Sequence, residues 1–533
     1  MAGVGMIETI VHWRYAPLSF TALSAVCAVL LIALAWVGIP GVDRIAGNTV
    51  QRLAKNSAAP IVGQFGNKVV DLVFAAFTLH LLGATDYGEY AVAVVAWLYL
   101  KTLSDFGLSI LVTRESAREP ERAGELIGSS TLLRILVLVA LVPIAVGYAV
   151  GGMHAFNLSR PSAIAIGLLT LSILPGTYTE AVNSVFNARE RMELPAALNV
   201  FTNLVRAALG LSALALGYGV VGLAVVSVVA TSVSTLAFHV ALRHLGVHPV
   251  WRLRRDQARW LLEVSWPLLL NALLLNVFFR ADEFVIQAAR GNHALGVYDA
   301  AYKFINTLLL VPSYFTLAAF PILTRYATGD QGRLVESYRL SVKFMTIVAW
   351  PLTLVTMTVA PILIGILGGS AFLPDSTVAL RILIWFLPMS YVNAITQYVL
   401  IAVDRQRAVT TAFAAAVVFN LGANALLVPR FSFYAAAAIT VATELVLLVP
   451  LMRAVKGAIG DTRLAGVVVR PALAAAAMGL VMAASWRLGP VPSAALGCLA
   501  YAPALIASGA VGRREATIVR ALFGRNSALA GQL

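Results

Sequence analysis

Apolar runs of about 20 residues recur from one end of this chain to the other, and a run of that length is what an α-helix needs to cross hydrocarbon. Beyond residue 58 they cover 59–82, 90–112, 126–150, 162–186, 198–216, 221–242, 261–288, 294–323, 344–367, 378–403, 410–428, 434–452, 471–486 and 493–511. Inside a bilayer, backbone groups must be satisfied within the segment, so such runs can only be helices. The chain is 60% hydrophobic and 12% charged, with a mean hydropathy of +0.84, and no soluble domain has room to fold between the runs. The fold class expected is therefore an all-α polytopic membrane protein with about fourteen core transmembrane helices.

The net charge of +14 and pI near 10.0 do not mark a nucleic-acid binder. Connections on one side of the expected membrane hold about 27 Lys and Arg, those on the other about 5, the asymmetry of positive-inside insertion. The basic side is expected to be cytoplasmic, with both core termini on it. Residues 1–39 carry His12, Arg14 and a further apolar run, read as an accessory helix, with an over-long gene start as the alternative. Cys27 and Cys498 sit in apolar runs near opposite ends, against a disulfide framework or a thiolate metal site.

The longest internal basic connection, 243–259, divides the spans into halves. Gly83-x4-Gly88-x-Tyr90 after the first core span recurs as Gly291-x4-Gly296-x-Tyr298 after the seventh, 208 residues later. The expected organisation is an N-terminal extension (1–48), a first lobe (49–242, helices 1–6), a basic inter-lobe loop (243–260), and a pseudo-symmetric second lobe (261–453, helices 7–12). Two additional helices (454–512) and a basic tail (513–533) complete it. Repeated bundles of this kind place substrate at their interface.

Ionisable groups within spans are costly and mark pathways. Lys68 and Asp71 lie three residues apart; Lys101 and Asp105, and Asp299 and Lys303, lie four apart, so each pair shares a helix face. Each could be a self-neutralising ion pair, but three in matching halves favour a hydrated cleft. Arg280, Asp282 and Glu283 sit towards one end of the seventh span, where an interfacial cluster is the plainer alternative. Arg134 and Arg206 are placed to snorkel towards the basic side, Glu180 reads as interfacial, and Glu444 as either a hydrogen-bonded structural carboxylate or a proton site. No Walker A run, His/Cys metal spacing or nucleophile elbow is present, and neither cofactor nor metal is expected.

The stretch Leu82-Gly83-Ala-Thr-Asp-Tyr87-Gly88-Glu-Tyr90, followed by Leu103-Ser-Asp105-Phe-Gly107-Leu108 and Arg114-Glu115, resembles the opening of polysaccharide-lipid flippases of the multidrug/oligosaccharidyl-lipid/polysaccharide (MOP) exporter superfamily. Arg280-Ala-Asp282 through Gly296-Val-Tyr298-Asp-Ala-Ala301-Tyr302-Lys303 resembles the corresponding segment of the second lobe. The resemblance spans roughly 49–453. It implies an alternating-access transporter, not an enzyme, that moves undecaprenyl-pyrophosphate-linked oligosaccharide across the bacterial inner membrane for surface polysaccharide biosynthesis. Its partners would be the lipid-linked oligosaccharide, membrane lipids and the polysaccharide polymerase machinery. An anionic cargo needs cations in the cleft, for which Lys68, Lys101, Arg280 and Lys303 are the candidates. Asp71, Asp105, Asp282 and Asp299 would compete for those cations and bind the coupling ion. The alternatives are a multidrug or organic-cation exporter of the same superfamily and an integral-membrane glycan polymerase or ligase.

Overall fold

The computed structural model describes residues 49–155 and 158–511, with side chains from residue 63 onward. The accessory helix expected before residue 49 and the basic tail 513–533 lie outside the described residues. Those residues are almost all helical and contain no strand. In chain order the helices are α1 (Thr49–Asp105), α2 (Leu108–Arg118), α3 (Ala123–Ala155), α4 (Arg160–Ala188), α5 (Glu193–Ala215), α6 (Gly219–His244) and α7 (Arg255–Leu308). They continue with α8 (Leu310–Ala327), α9 (Gln331–Gly368), α10 (Asp375–Leu383), α11 (Leu387–Ala402), α12 (Gln406–Ile459), α13 (Ala465–Ala484) and α14 (Pro490–Ala507).

Eleven helical stretches are long and apolar enough to cross a membrane. Three of them turn within their length, at Gly83, Gly291 and Ser432, and counting each arm separately gives fourteen segments among the described residues, in line with the number expected. Two of the breaks correct an expectation. Residues 83–88 read as a loop, yet the chain reverses at Gly83 alone (φ 72°, ψ 179°) and is helical again at once. Gly291 repeats the conformation (φ 80°, ψ −178°), a backbone region essentially reserved for glycine. A one-residue reversal leaves no flexible connection, so the two helices it joins are held directly against each other.

At that end the halves meet through backbone. A β-carbon on Gly88 would lie 1.8 Å from the Asn292 carbonyl oxygen, and one on Gly296 would lie 1.9 Å from that of Ala84. Ala84 and Gly88 are thus matched against Asn292 and Gly296 about a pseudo-twofold axis, and Thr85 meets its own repeat counterpart His293 (3.4 Å). Small residues four apart allow this approach, and in lipid, close packing is a main source of helix association. Around the contact lies an apolar core drawn from both halves, including Leu79, Val92, Leu295, Tyr302 and Phe372. This end of the interface is sealed.

At the opposite end the connection between halves is not a loose loop. Val250 N–H donates to the Gly124 carbonyl (2.9 Å), and α3 offers glycines where the strap lies: a β-carbon on Gly124 or Gly128 would collide with the carbonyl of His248 or Val250. Trp251 stacks on Tyr178 of α4, and Gln257, at the start of α7, donates to Glu125 (3.0 Å) and Ser129 (3.2 Å) of α3. Helices α13 and α14 pack on α9 through Leu354, Met478, Met482 and Tyr501.

The sealed end is checked by disulfide trapping with Cys27 and Cys498 replaced by serine. Thr85→Cys with His293→Cys is expected to cross-link efficiently. Adding Gly296→Val, which forces a side chain onto the Ala84 carbonyl, should lower the yield several-fold; an unchanged yield would refute the backbone contact.

Candidate functional site

Two cavities open beneath the seal. The smaller, about 260 Å³, lies between the halves and is lined by Lys68, Asp71, Tyr87, Arg206, Arg280, Glu283, Asp299 and Lys303. The larger, about 430 Å³, is formed by the first half alone and includes Trp97, Lys101, Asp105, Arg134 and Glu180. Both are lined by Asp71, Tyr90, Val94 and Arg206, so the two adjoin.

The smaller cavity is organised by Asp299. Its side chain is only 3% exposed and gathers donors from both halves: Tyr87 O–H donates at 2.6 Å, Lys303 Nζ lies at 2.9 Å, and Arg280 Nη1 lies at 3.3 Å. The Asp299–Lys303 pairing follows from their four-residue spacing on one helix. The Arg280 contact does not, because Gly291 intervenes; folding α7 back on itself brings residue 280 beside residue 299. Arg280 also forms a tight ion pair with Glu283, whose Oε2 has no hydrogen-bond partner and whose side chain is 1% exposed. Arg280 is thus largely enclosed and Glu283 fully so, both within the bundle. The guanidinium of Arg280 lies over the Tyr302 ring (5.2 Å), and Lys303 Nζ lies over that of Tyr87 (5.8 Å). Cationic groups held between aromatic faces and carboxylates sit in a fixed geometry with their charge only partly spent.

Lys68 faces the same cavity and has no ion pair among the described residues. Its expected partner Asp71 instead accepts from Arg206 (2.9 Å) and Asn203 (3.1 Å) of α5. The second local pair is likewise replaced. Lys101 bonds to Glu180 of α4 at 2.9 Å, and Asp105 bonds to Arg134 of α3 at 2.9 Å, supported by Ser109 O–H (2.6 Å). Arg134 is 1% exposed and does not snorkel. Arg206 and Glu180 also turn into the bundle, where each supplies an ion-pair partner. The cause is common to all of them: a neighbouring helix offers an opposite charge at better geometry than the same helix can, and in low dielectric an unmatched charge is the costlier state.

Asp282 is buried but lines neither cavity. It accepts from Tyr298, from Thr440 of α12 (3.3 Å) and from the Glu283 backbone N–H (3.0 Å), which pins α12 to α7. Glu444 is buried and held by Asn393 Nδ2 at 2.6 Å. Asn420 donates to Thr443 (3.0 Å) across the break at Ser432, whereas Asn424 donates to Asn420 (3.0 Å) on its own helix. Lys68, Asp71, Arg280, Asp299 and Lys303 thus share one cavity, and Lys101 and Asp105 share the other with Asp71. Tyr87, Arg206 and Glu283 were not among the expected site residues. The one hint for Glu283 was its place beside Arg280. Among the described residues no group of three or more His, Cys, Asp or Glu is arranged to hold a metal ion.

Comparison with known proteins agrees with this architecture. The profile of the polysaccharide biosynthesis protein family matches residues 53–327, just over half of the chain, and the MatE profile matches 267–426. No curated protein matches the chain in sequence. Among solved structures, the lipid II flippase MurJ in its inward closed conformation superposes with a TM-score of 0.70 at 12% identity, over 87% of this chain and 98% of that one. An inward-facing multidrug resistance MATE family transporter of the MOP superfamily gives 0.61 at 16% identity, over 74% and 95%, and a MATE in complex with MaL6 gives 0.53 at 17%, over 80% and 99%. At these identities the structural likeness speaks to fold alone; together with the family match, the conclusion is that this multi-pass membrane protein belongs to the polysaccharide biosynthesis protein family of the MOP superfamily of transporters and flippases.

Proposed function

We propose that the protein is a flippase that carries undecaprenyl-pyrophosphate-linked oligosaccharide across the bacterial inner membrane, for surface polysaccharide biosynthesis, by alternating access coupled to an ion gradient. The observation that carries this is the convergence of Lys68, Arg280 and Lys303 from both halves on one cavity at the lobe interface, where a lipid-linked anion can keep its tail in the bilayer. Guanidinium and ammonium groups bind phosphate oxygens strongly in a site with little water, and the fork of Arg280 is shaped for two of them. The lobes proposed are residues 49–242 and 261–453, linked by 243–260, with 454–512 an appendage to the second. The charge asymmetry makes the sealed end periplasmic.

Coupling follows from the shared acceptor. A phosphate that engages Lys303 and Arg280 takes them from Asp299 and Glu283, and carboxylates stripped of their cations gain affinity for a proton or sodium ion. Asp299 is also bonded to Tyr87, next to Gly88 at the seal. Cargo binding therefore acts on a hydrogen bond that joins the cavity to the closed end, which is the differential contact an alternating equilibrium needs. Asp71 and Glu283 are the other carboxylates of the cavity, and Asp105 serves the neighbouring one. Catalysis by this chain forms no part of the proposal.

Proteoliposomes containing fluorescent undecaprenyl-pyrophosphate-linked glycan give the direct test. Removing one partner of a desolvated charge pair costs roughly 2–5 kcal/mol, so Arg280→Ala and Lys303→Ala should each slow flipping at least tenfold, with Lys68→Ala close behind. Parent rates in all three, at normal protein levels, would sink the proposal, and a drug-susceptibility phenotype in the deletion strain would favour the exporter instead. Asp299→Asn should act in opposite directions on two readouts: it frees Lys303 and Arg280, so inorganic pyrophosphate binds more tightly, while the flipping rate falls and loses its dependence on the ion gradient. Weaker pyrophosphate binding in that variant would mean that Asp299 is not the competitor.

A further inference from the structure

We infer that the larger cavity, which lies wholly within the first half, is the subsite for the saccharide part of the cargo: an uncharged, polyhydroxylated group. This inference rests on the flippase function proposed above and divides its cargo between two cavities.

The larger cavity has no spare charge with which to hold an anion. Its six ionisable groups close into three pairs, Asp71–Arg206, Lys101–Glu180 and Asp105–Arg134, each at 2.9 Å. The smaller cavity differs in having Lys68, which forms no ion pair among the described residues. What the larger cavity offers instead is hydrogen bonding. Ser227 and Thr231 each donate to a carbonyl of their own helix, at Leu223 and Ser227 respectively. Their protons are spent and their lone pairs remain, so they present acceptors to a ligand rich in O–H donors. Asn199 is exposed on the same wall and makes no hydrogen bond among the described residues; its amide can both donate and accept.

Two aromatic rings, Tyr90 and Trp97, border this polar lining. Such rings are apolar on the face and wet at the edge, which suits a pyranose, apolar on its C–H face and polar around its rim. Lys101 Nζ lies 5.4 Å from the Trp97 ring centroid and helps to hold that ring in place. At about 430 Å³ the volume is within the range of roughly 300–1,000 Å³ typical of small-molecule sites. Asp71, Tyr90, Val94 and Arg206 line both cavities, so the two adjoin and a cargo longer than one of them has its next space in the other. A pyrophosphate at Lys68, Arg280 and Lys303 has its first sugar beside Arg206 and Tyr90, and the next reaches Trp97.

The test measures equilibrium binding to the full chain in lipid nanodiscs of three probes: undecaprenyl pyrophosphate, and the same lipid carrying a disaccharide of hexose or a disaccharide of N-acetylhexosamine. The parent protein is expected to bind at least one sugar-bearing lipid about fivefold more tightly than the bare one. Trp97→Leu and Asn199→Ala should erase most of that difference and bind the bare lipid as the parent does. The exposed Asn199 tolerates alanine without loss of fold, and an unchanged thermal midpoint confirms it. If the parent prefers neither sugar-bearing lipid, or if both variants keep the preference, the subsite is wrong while bare-lipid binding, sensitive to Lys68→Ala, leaves the flippase function standing. If the bare lipid does not bind, or binds without regard to Lys68, the flippase function falls and the subsite with it.

Discussion

Two carbonyl oxygens, those of Ala84 and Asn292, each occupy the space in which a β-carbon would otherwise stand. The rest of the interface depends on that substitution of backbone for side chain. Because Gly88 and Gly296 have no side chains, the halves approach closely enough for Thr85 to meet His293 and for Tyr87 to reach Asp299. Asp299 in turn holds Lys303 and Arg280 in place. A wider separation at the glycines would leave Tyr87 out of reach, Asp299 with fewer donors, and the cations with more freedom. Packing at the seal and electrostatics in the cavity are therefore parts of one structure.

The charges within the spans illustrate how a membrane bundle tolerates ionisable groups. None is neutralised by burial alone. Arg134 is almost fully enclosed and still has Asp105, Ser130 and Ser109 within hydrogen-bond distance. Where one group is shared, as Asp299 is among two cations and a phenol, the arrangement is open to exchange, since each donor can find another partner without stranding the acceptor. The first half contains mutually exclusive pairs and the lobe interface contains shared ones; rigidity belongs to the former and responsiveness to the latter.

How far the sequence alone could see follows from the same distinction. Helical spans and roughly their number were legible because hydrocarbon imposes length and composition on every crossing. The Asp299–Lys303 pair was legible because helix geometry alone decides whether residues four apart can meet. Lys68–Asp71 and Lys101–Asp105 satisfied the same spacing and were claimed by other helices, a choice made by tertiary packing that leaves no local trace. The glycine repeat at an interval of 208 residues was visible as a repeat, yet a repeat states only that two places are locally alike. That those two places touch each other, and that Gly83 and Gly291 turn the chain in a single residue, required the assembled bundle.

The strap between the halves carries one further consequence. Its backbone is bonded to Gly124, and Gln257 at the foot of α7 is bonded to Glu125 and Ser129, so that foot is moored to α3. From Arg255 to the turn at Gly291, α7 runs roughly 54 Å at 1.5 Å per residue. A helix of that length amplifies angle into distance: a tilt of about 10° about its foot carries the far end roughly 9 Å. Any tilt of α7 about its moored foot is therefore smallest beside the strap and largest at the turn where the glycines meet.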